Sequence, residues 1–182
     1  MSILYLVRHA HADWVPNEQR PLSEQGMSDA LRVADLLAAK PITFLYASSA
    51  RRAAQTIEPL AARLNMPIVT MHDLRERELS RSPVPDFLEA IRHAWTHPYA
   101  ALPGGESNRA AQRRGIAVIE ALVHRHPHEQ IVVATHGNLL ALILQHYDQS
   151  IGFAFWEALT MPDVYQLKID QAQPTVIQRL WS

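Results

Sequence analysis

Apolar positions along this chain fall into short runs of strand length, separated by longer stretches in which they recur every three or four residues. Ile3-Leu-Tyr-Leu-Val7 predicts a first strand, Ile42-Thr-Phe-Leu-Tyr46 a second, and Ile68-Val-Thr-Met71 a short third. Ile131-Val-Val-Ala134 is the cleanest run and predicts a fourth; residues 164–169 and 175–180 predict two closing strands joined by a turn near 170–174. The first helix opens at Arg20-Pro-Leu-Ser and runs through about Ala39, with Ser23 as N-cap and Leu31, Ala34, Leu37 and Ala38 on one face. A second is expected from about Ala50 to Leu64, ended by Asn65 and Pro67. A third runs from about Glu106 to His126, turned at Pro127, and a fourth covers 137–146. Strands alternating with helices predict an α/β layered architecture.

Between residues 74 and 105 the pattern loosens. Ser82-Pro-Val-Pro85 and His97-Pro98 are breakers around one amphipathic stretch, 86–95. This segment reads as an excursion from the core, a cap at about 77–105, in what is otherwise a single domain over 1–182.

Composition narrows the functional classes. Hydrophobic residues make up 48% and charged residues 19%, an ordinary globular balance, and a net charge of −1 provides no field for nucleic acid or an anionic membrane. The chain has no cysteine, which excludes disulfides, thiolate metal sites and a thiol nucleophile. No basic segment precedes the apolar run at 3–7, and Arg8 and His9 follow it at once, so it reads as a buried strand and not as a secretory signal. No window has the apolar length to span a bilayer. A cytoplasmic enzyme is the default expectation.

Three strand ends carry unusual chemistry: Leu6-Val-Arg-His9, Ala47-Ser-Ser-Ala-Arg-Arg-Ala-Ala-Gln-Thr56, and Ala134-Thr-His-Gly137. Carboxyl ends of strands in an α/β sheet lie along one edge, where ligands bind, so groups far apart in sequence can converge there. His9 offers a nitrogen nucleophile in its neutral form, which nearby positive charge favours. Arg8 and Arg52 offer planar, permanently charged forks matched to phosphate oxygens, and His136 adds a donor. Phosphoryl transfer needs mostly positioning and charge stabilisation, which two arginines and a histidine supply without a metal ion.

The leaving oxygen needs a proton. Glu76, in Leu74-Arg-Glu-Arg-Glu78, follows the third strand and is the candidate general acid, with Glu78 as runner-up. His124-Arg-His-Pro-His128 looks metal-like, but Pro127 marks an exposed turn and no carboxylate cage accompanies it, so surface histidines are expected there. Trp95, Phe153, Phe155 and Trp156 are expected to pack in the core or cap. Asn138 either orients a phosphate through its backbone or starts a helix; Glu106 either reaches the site or serves the first turn of its own helix.

Taken in order, these stretches resemble the histidine phosphatase superfamily, the clan of cofactor-dependent phosphoglycerate mutases and their phosphatase relatives. Val7-Arg-His9 resembles the family's nucleophile signature, and Ser48-Ser-Ala-Arg-Arg-Ala-Ala-Gln-Thr56 its second arginine motif, in a register that selects Arg52 over Arg51. Leu74-Arg-Glu76 resembles the proton-donor motif, Gly104-Gly-Glu-Ser107 the opening of the next helix, and Thr135-His-Gly-Asn138 the second histidine motif. Pro21-Leu-Ser-Glu-Gln-Gly26 matches a further family stretch. The ordered set spans nearly the whole chain. It implies a three-layer α/β/α sandwich with a mostly parallel central sheet, a phosphohistidine intermediate on His9, phosphate held by Arg8, Arg52, His136 and Gly137, and neither metal nor cofactor.

The sequence also departs from that pattern. Ala10 stands where the family has a glycine, Ala12 where it has threonine or serine, and Val15 where mutases place an asparagine. The stretch after Glu76 lacks the usual glycine-bearing pattern. The changes at Ala10, Ala12 and Val15 favour a phosphomonoester hydrolase over a mutase that returns the phosphoryl group to product, and the stretch after Glu76 leaves the cap and its substrate contacts outside the resemblance. A non-catalytic phosphate-binding module of the same fold and a metal-dependent hydrolase are the remaining rivals. Arg77, Arg81, Arg92 and His93 fall on or near the cap and point to a small, anionic phosphorylated substrate.

Overall fold

The computed structural model describes residues 1–182 except Pro16, Glu18, Gln171 and Ala172, with 173–175 described by backbone alone. Strand β1 (Ser2–Arg8) leads to helix α1 (Glu24–Leu37), then β2 (Phe44–Ser48), α2 (Arg51–Leu64) and β3 (Ile68–Met71). A single 3-10 turn, His72–Leu74, follows. The chain then leaves the sheet, forms α3 (Phe87–Thr96), and returns through α4 (Asn108–Arg125), β4 (Gln130–Thr135), α5 (Gly137–Tyr147), α6 (Phe153–Ala158), β5 (Asp163–Asp170) and β6 (Gln173–Arg179).

The six strands form one sheet in the order β3-β2-β4-β1-β5-β6. β1, β2, β3 and β4 pair in parallel, while β5 runs antiparallel to both β1 and β6. The two-residue side-chain period sorts the core into two layers. Leu4, Leu6, Tyr46, Ile131 and Val133 face α4 and α5, whereas Tyr5, Val7, Leu45, Ala47, Val132 and Ala134 face α1 and α2. The near-continuous apolar runs of β1 and β4 follow from burial on both faces. The fold is thus the expected α/β/α arrangement around a mostly parallel sheet.

Local signals set the helix ends. Ser23 accepts the N–H of Gly26, and α2 stops at Asn65, whose φ of 51° is left-handed. The buried stripe of α1 is Gly26, Asp29, Ala30, Val33, Ala34 and Leu37. Leu31 is one residue out of that stripe and 51% exposed, so its expected place on the inner face is corrected. The second strand begins at Phe44 because the Ile42 N–H turns back to the Lys40 carbonyl. Helix α6, an aromatic-rich segment of six residues, was not foreseen; Phe155 and Trp156 pack against the core, and Phe153 lies 5.6 Å from Trp156. Of the expected turn near 170–174, Gln171 and Ala172 lie outside the described residues, while Asp170 ends β5 and Gln173 opens β6.

Candidate active site

Because β2, β4 and β1 are parallel neighbours, their carboxyl ends sit side by side. His9 follows β1 directly, Arg52 lies in the first turn of α2 after β2, and His136 is the N-cap of α5 after β4. The three converge as buried side chains, 7%, 7% and 1% exposed respectively. Arg51, its neighbour in sequence, faces solvent.

The His9 ring is oriented by its own backbone. Nδ1 lies 2.7 Å from the Ala10 carbonyl, and since a carbonyl only accepts, Nδ1 carries the proton. Nε2 therefore keeps its lone pair, and it accepts from Nε of Arg52 at 3.2 Å. Burial, reinforced by the positive fields of Arg52, Arg8 and Arg20 and opposed by the bond to Ala10, pushes the His9 pKa down to about 3. Burial and these fields both favour the neutral form of the ring.

His136 meets His9 edge-on, with ring centroids 5.1 Å apart. Its Nδ1 accepts from Nη2 of Arg52 at 3.3 Å, which leaves Nε2–H to donate to Oγ of Ser48 at 2.8 Å. Burial and then the charges around it hold its pKa well below the ordinary histidine value. One guanidinium thus touches both rings, and Arg52 sets the spacing between them.

Arg8 approaches from the other side. Nη1 donates to the carbonyls of Leu159 and Thr160, at 2.8 and 3.1 Å, while Nε is buried with no hydrogen-bond partner. Gly137 makes room for it: a Cβ there would lie 2.9 Å from the Arg8 Nε. The loop that anchors Arg8 is itself held by Asp163, which accepts from the Thr160 N–H at 3.1 Å and binds Arg179 through both oxygens, at 2.9 and 3.0 Å. Burial lowers the Arg8 pKa, against the fields of Glu76 and Asp163.

Glu76 caps α5 from outside. Its carboxylate accepts the N–H groups of Asn138 at 2.9 Å, Leu139 at 3.0 Å and Arg77 at 2.8 Å. The first two are N-terminal helix donors that the N-cap side chain of His136 does not serve. So the Asn138 amide reaches Glu76, and Glu106 is taken by Arg114 at 2.7 Å just before α4. Glu76 lines a cavity of about 340 Å³ together with Arg52, His136, His72, Arg77 and Glu78. Glu78 is also exposed and lies 3.8 Å from Arg81.

Of the cationic residues expected on or near a cap, Arg77 lines this cavity; it is 5% exposed, with Nε buried and unpartnered. Arg92 instead pairs with Glu89 and lies over Phe153, and His93 stacks on His97. Around the other histidine-rich stretch, His126 stacks on Phe44 and bonds Tyr46, while His128 meets the N-terminal amine. Among the described residues, no three His, Cys, Asp or Glu side chains gather as a metal site.

Several supporting residues were not singled out by sequence reasoning. Oγ1 of Thr56 accepts the Ala10 N–H at 2.9 Å and donates to the Arg52 carbonyl at 2.7 Å, tying the segment that carries His9 to α2. Gln55 accepts the Leu22 N–H at 2.9 Å. Both had been quoted within a motif, so a signal existed without a role. Arg20 was visible only as the residue before Pro21. Its charge acts on both His9 and His136, and its Nε is buried without a partner.

Residues 4–180 match the model of the histidine phosphatase superfamily, branch 1. A 2,3-bisphosphoglycerate-dependent phosphoglycerate mutase of Azorhizobium caulinodans is 32% identical over 167 residues, covering 78% of this chain and 79% of the relative. The Bacillus stearothermophilus protein YhfR superposes with a TM-score of 0.81 at 25% identity, over 97% of this chain and 95% of that one. A mycobacterial glucosyl-3-phosphoglycerate phosphatase shares the fold with a TM-score of 0.74 at 24% identity, over 91% and 89% of the two chains. An α/β/α sheet whose adjacent carboxyl ends hold two buried histidines on one arginine, with a family match over nearly the whole length, leads to one assignment: the chain belongs to the histidine phosphatase superfamily.

Proposed function

We propose that this protein is a phosphomonoester hydrolase that works through a phosphohistidine on Nε2 of His9, in a single domain whose residues 77–105 form a cap. The observation that carries this reading is the His9 tautomer. Nδ1 is committed to the Ala10 carbonyl, and Nε2 presents a lone pair beside the Arg52 fork. That is the arrangement in-line attack on phosphorus requires.

In the first step the Nε2 lone pair forms the N–P bond as the bond from phosphorus to the leaving oxygen breaks, and Glu76 delivers a proton to that oxygen. Arg8, Arg52, His136 and the Gly137 amide at the start of α5 bear the charge on the phosphoryl oxygens. In the second step a water oxygen attacks phosphorus, the N–P electron pair returns to Nε2, and the water's proton passes to Glu76. Charge that a metal ion would supply comes instead from the arginines. A cysteine-free chain with this chemistry fits a cytoplasmic enzyme.

Arg77 supports an anionic substrate. It is a buried cation on the Glu76 wall of the cavity, where the leaving group would lie. A carboxylate or second phosphate on the leaving group would satisfy it.

The test is hydrolysis of an aryl phosphate with chelator present, by wild type and His9→Ala, alongside acid-labile, base-stable labelling from a radioactive phosphate donor. Turnover and label that both vanish with His9 support the reading. A folded protein with neither would overturn it. The mutase reading draws on the Azorhizobium relative, and interconversion of 2- and 3-phosphoglycerate in a coupled assay would establish it instead.

A further inference from the structure

The end of α3 contains a carbonyl that its own helix cannot serve. In a continuing helix the Ala94 carbonyl would accept the N–H of residue 98, and that residue is Pro98, which has none. Nδ2 of Asn108 donates to it instead, at 3.1 Å. A carbonyl only accepts, so the Asn108 amide is fixed with Oδ1 turned away, and there it accepts Nδ2 of Asn138 at 3.2 Å. Asn138 is fixed in turn, and its own backbone N–H, with that of Leu139, holds the carboxylate of Glu76. The Arg109 N–H donates to the Pro98 carbonyl at 2.8 Å and secures the same junction.

Both asparagines are buried, 1% and 3% exposed, and the arrangement leaves Oδ1 of Asn138 with no donor. A buried acceptor without a partner is destabilising, so Asn138 costs the fold something that serving the Ala94 carbonyl does not itself require. Its presence calls for another role.

We propose that Asn108 and Asn138 are positioning residues for Glu76, transmitting the seat of α3 to the carboxyl so that protonation of the leaving oxygen depends on the cap helix being docked. This rests on the reading of Glu76 as general acid. Along the path, α3 fixes Asn108, Asn108 fixes Asn138, and Asn138 sits in the helix turn whose amides orient the carboxyl. Loosening the cap end of this chain releases the acid without touching His9 or the arginines.

The experiment compares wild type with Asn108→Ala and the milder Asn108→Ser on two esters. One is an alkyl phosphate, whose leaving oxygen needs a proton, and the other dinitrophenyl phosphate, whose leaving group departs as the anion. We expect kcat/KM, which reports only the steps up to phosphoryl transfer onto His9, to fall about tenfold on the alkyl ester, part of the contribution of a general acid, and to stay within about twofold on the dinitrophenyl ester. Equal losses on both esters, or none on either, would overturn the proposal. Amide hydrogen exchange at Asn138 and Leu139 is read in the same proteins. It should quicken about tenfold in both variants while β4 amides are unchanged; unchanged exchange at those two amides would overturn the proposal even where turnover is affected. If wild type hydrolyses neither ester, the enzymatic reading fails, and the exchange data alone decide whether the relay exists. Failure of both variants to fold would also overturn it, because the pair would then be holding the fold and not the carboxyl.

Discussion

Nε of Arg52 donates to Nε2 of His9 across 3.2 Å, so the fork and the nitrogen that the proposed chemistry joins through phosphorus already touch in the free protein. In the proposed chemistry an entering phosphoryl group would replace that contact, its oxygens taking the guanidinium donors and its phosphorus the lone pair they release. The second contact of Arg52, to His136, keeps the fork on the same axis while this happens.

A lysine at position 52 keeps the charge and loses the fork, so it cannot serve His9 and His136 together. Arg52→Lys should lower kcat/KM on an aryl phosphate roughly 100- to 1,000-fold, about 3 to 4 kcal/mol, as for loss of a preorganised oxyanion donor. Retention within tenfold would mean that charge alone suffices.

Thr56→Val removes the acceptor of the Ala10 N–H and leaves that amide buried and unserved. The loss should be about 1 to 3 kcal/mol in urea unfolding, with Thr56→Ser close to wild type. A valine variant as stable as wild type would show that the nucleophile loop is held by other contacts.

The His9 titration gives stability a pH slope of definite sign. Above about 6.5 neither the folded nor the unfolded chain binds a proton at this ring. Between 6.5 and about 3 the unfolded chain binds one that the folded chain refuses, so stability falls as pH falls, by up to about 1.4 kcal/mol per unit. His136 adds to the loss in the same direction. Urea midpoints for wild type and His9→Asn at pH 7.5, 6.0 and 5.0 should show the shallower slope in the variant; parallel slopes would contradict this account.

Arg20 adds a positive field at both rings. If it holds a phosphate oxygen, Arg20→Gln should raise the inhibition constant of inorganic phosphate roughly tenfold, the scale of one charged hydrogen bond. An unchanged constant would restrict Arg20 to holding the loop, where Nη1 already donates to the Val15 carbonyl.

For Arg77 the contrast lies between substrates. Arg77→Met should lower kcat/KM at least about tenfold for an ester with a carboxylate on its leaving group, and less than about threefold for a neutral aryl phosphate. Its stability should be no lower than wild type, because a buried cation has been removed. Equal effects on the two esters would rule out recognition of a second anion.

The layers, the strands and the helix order were legible because each depends on local period. Ser23 and Asn65 mark helix ends through chemistry carried by one residue, and Ile131-Val-Val-Ala134 cannot hide as anything but a buried run. Leu31 was misplaced since a face of α1 is decided by what lies across from it, and apolar character alone does not report that. The aromatic segment at Phe153–Ala158 escaped because six residues carry too little periodicity to read.

The candidate site divides along a similar line. Types and order were in the sequence: an Arg-His after one strand, an arginine-rich helix start after another, a Thr-His-Gly after a third, each a local string. Distances were not. That His9 and His136 share Arg52, that Glu76 closes the terminus of α5, that Asp163 holds the loop gripping Arg8, and that Asn108 bridges to Asn138 all join residues far apart in the chain. Local strings carry propensity and residue chemistry. Which donor meets which acceptor is settled only when parallel β1, β2 and β4 bring their ends together and burial makes an unpaired polar atom costly.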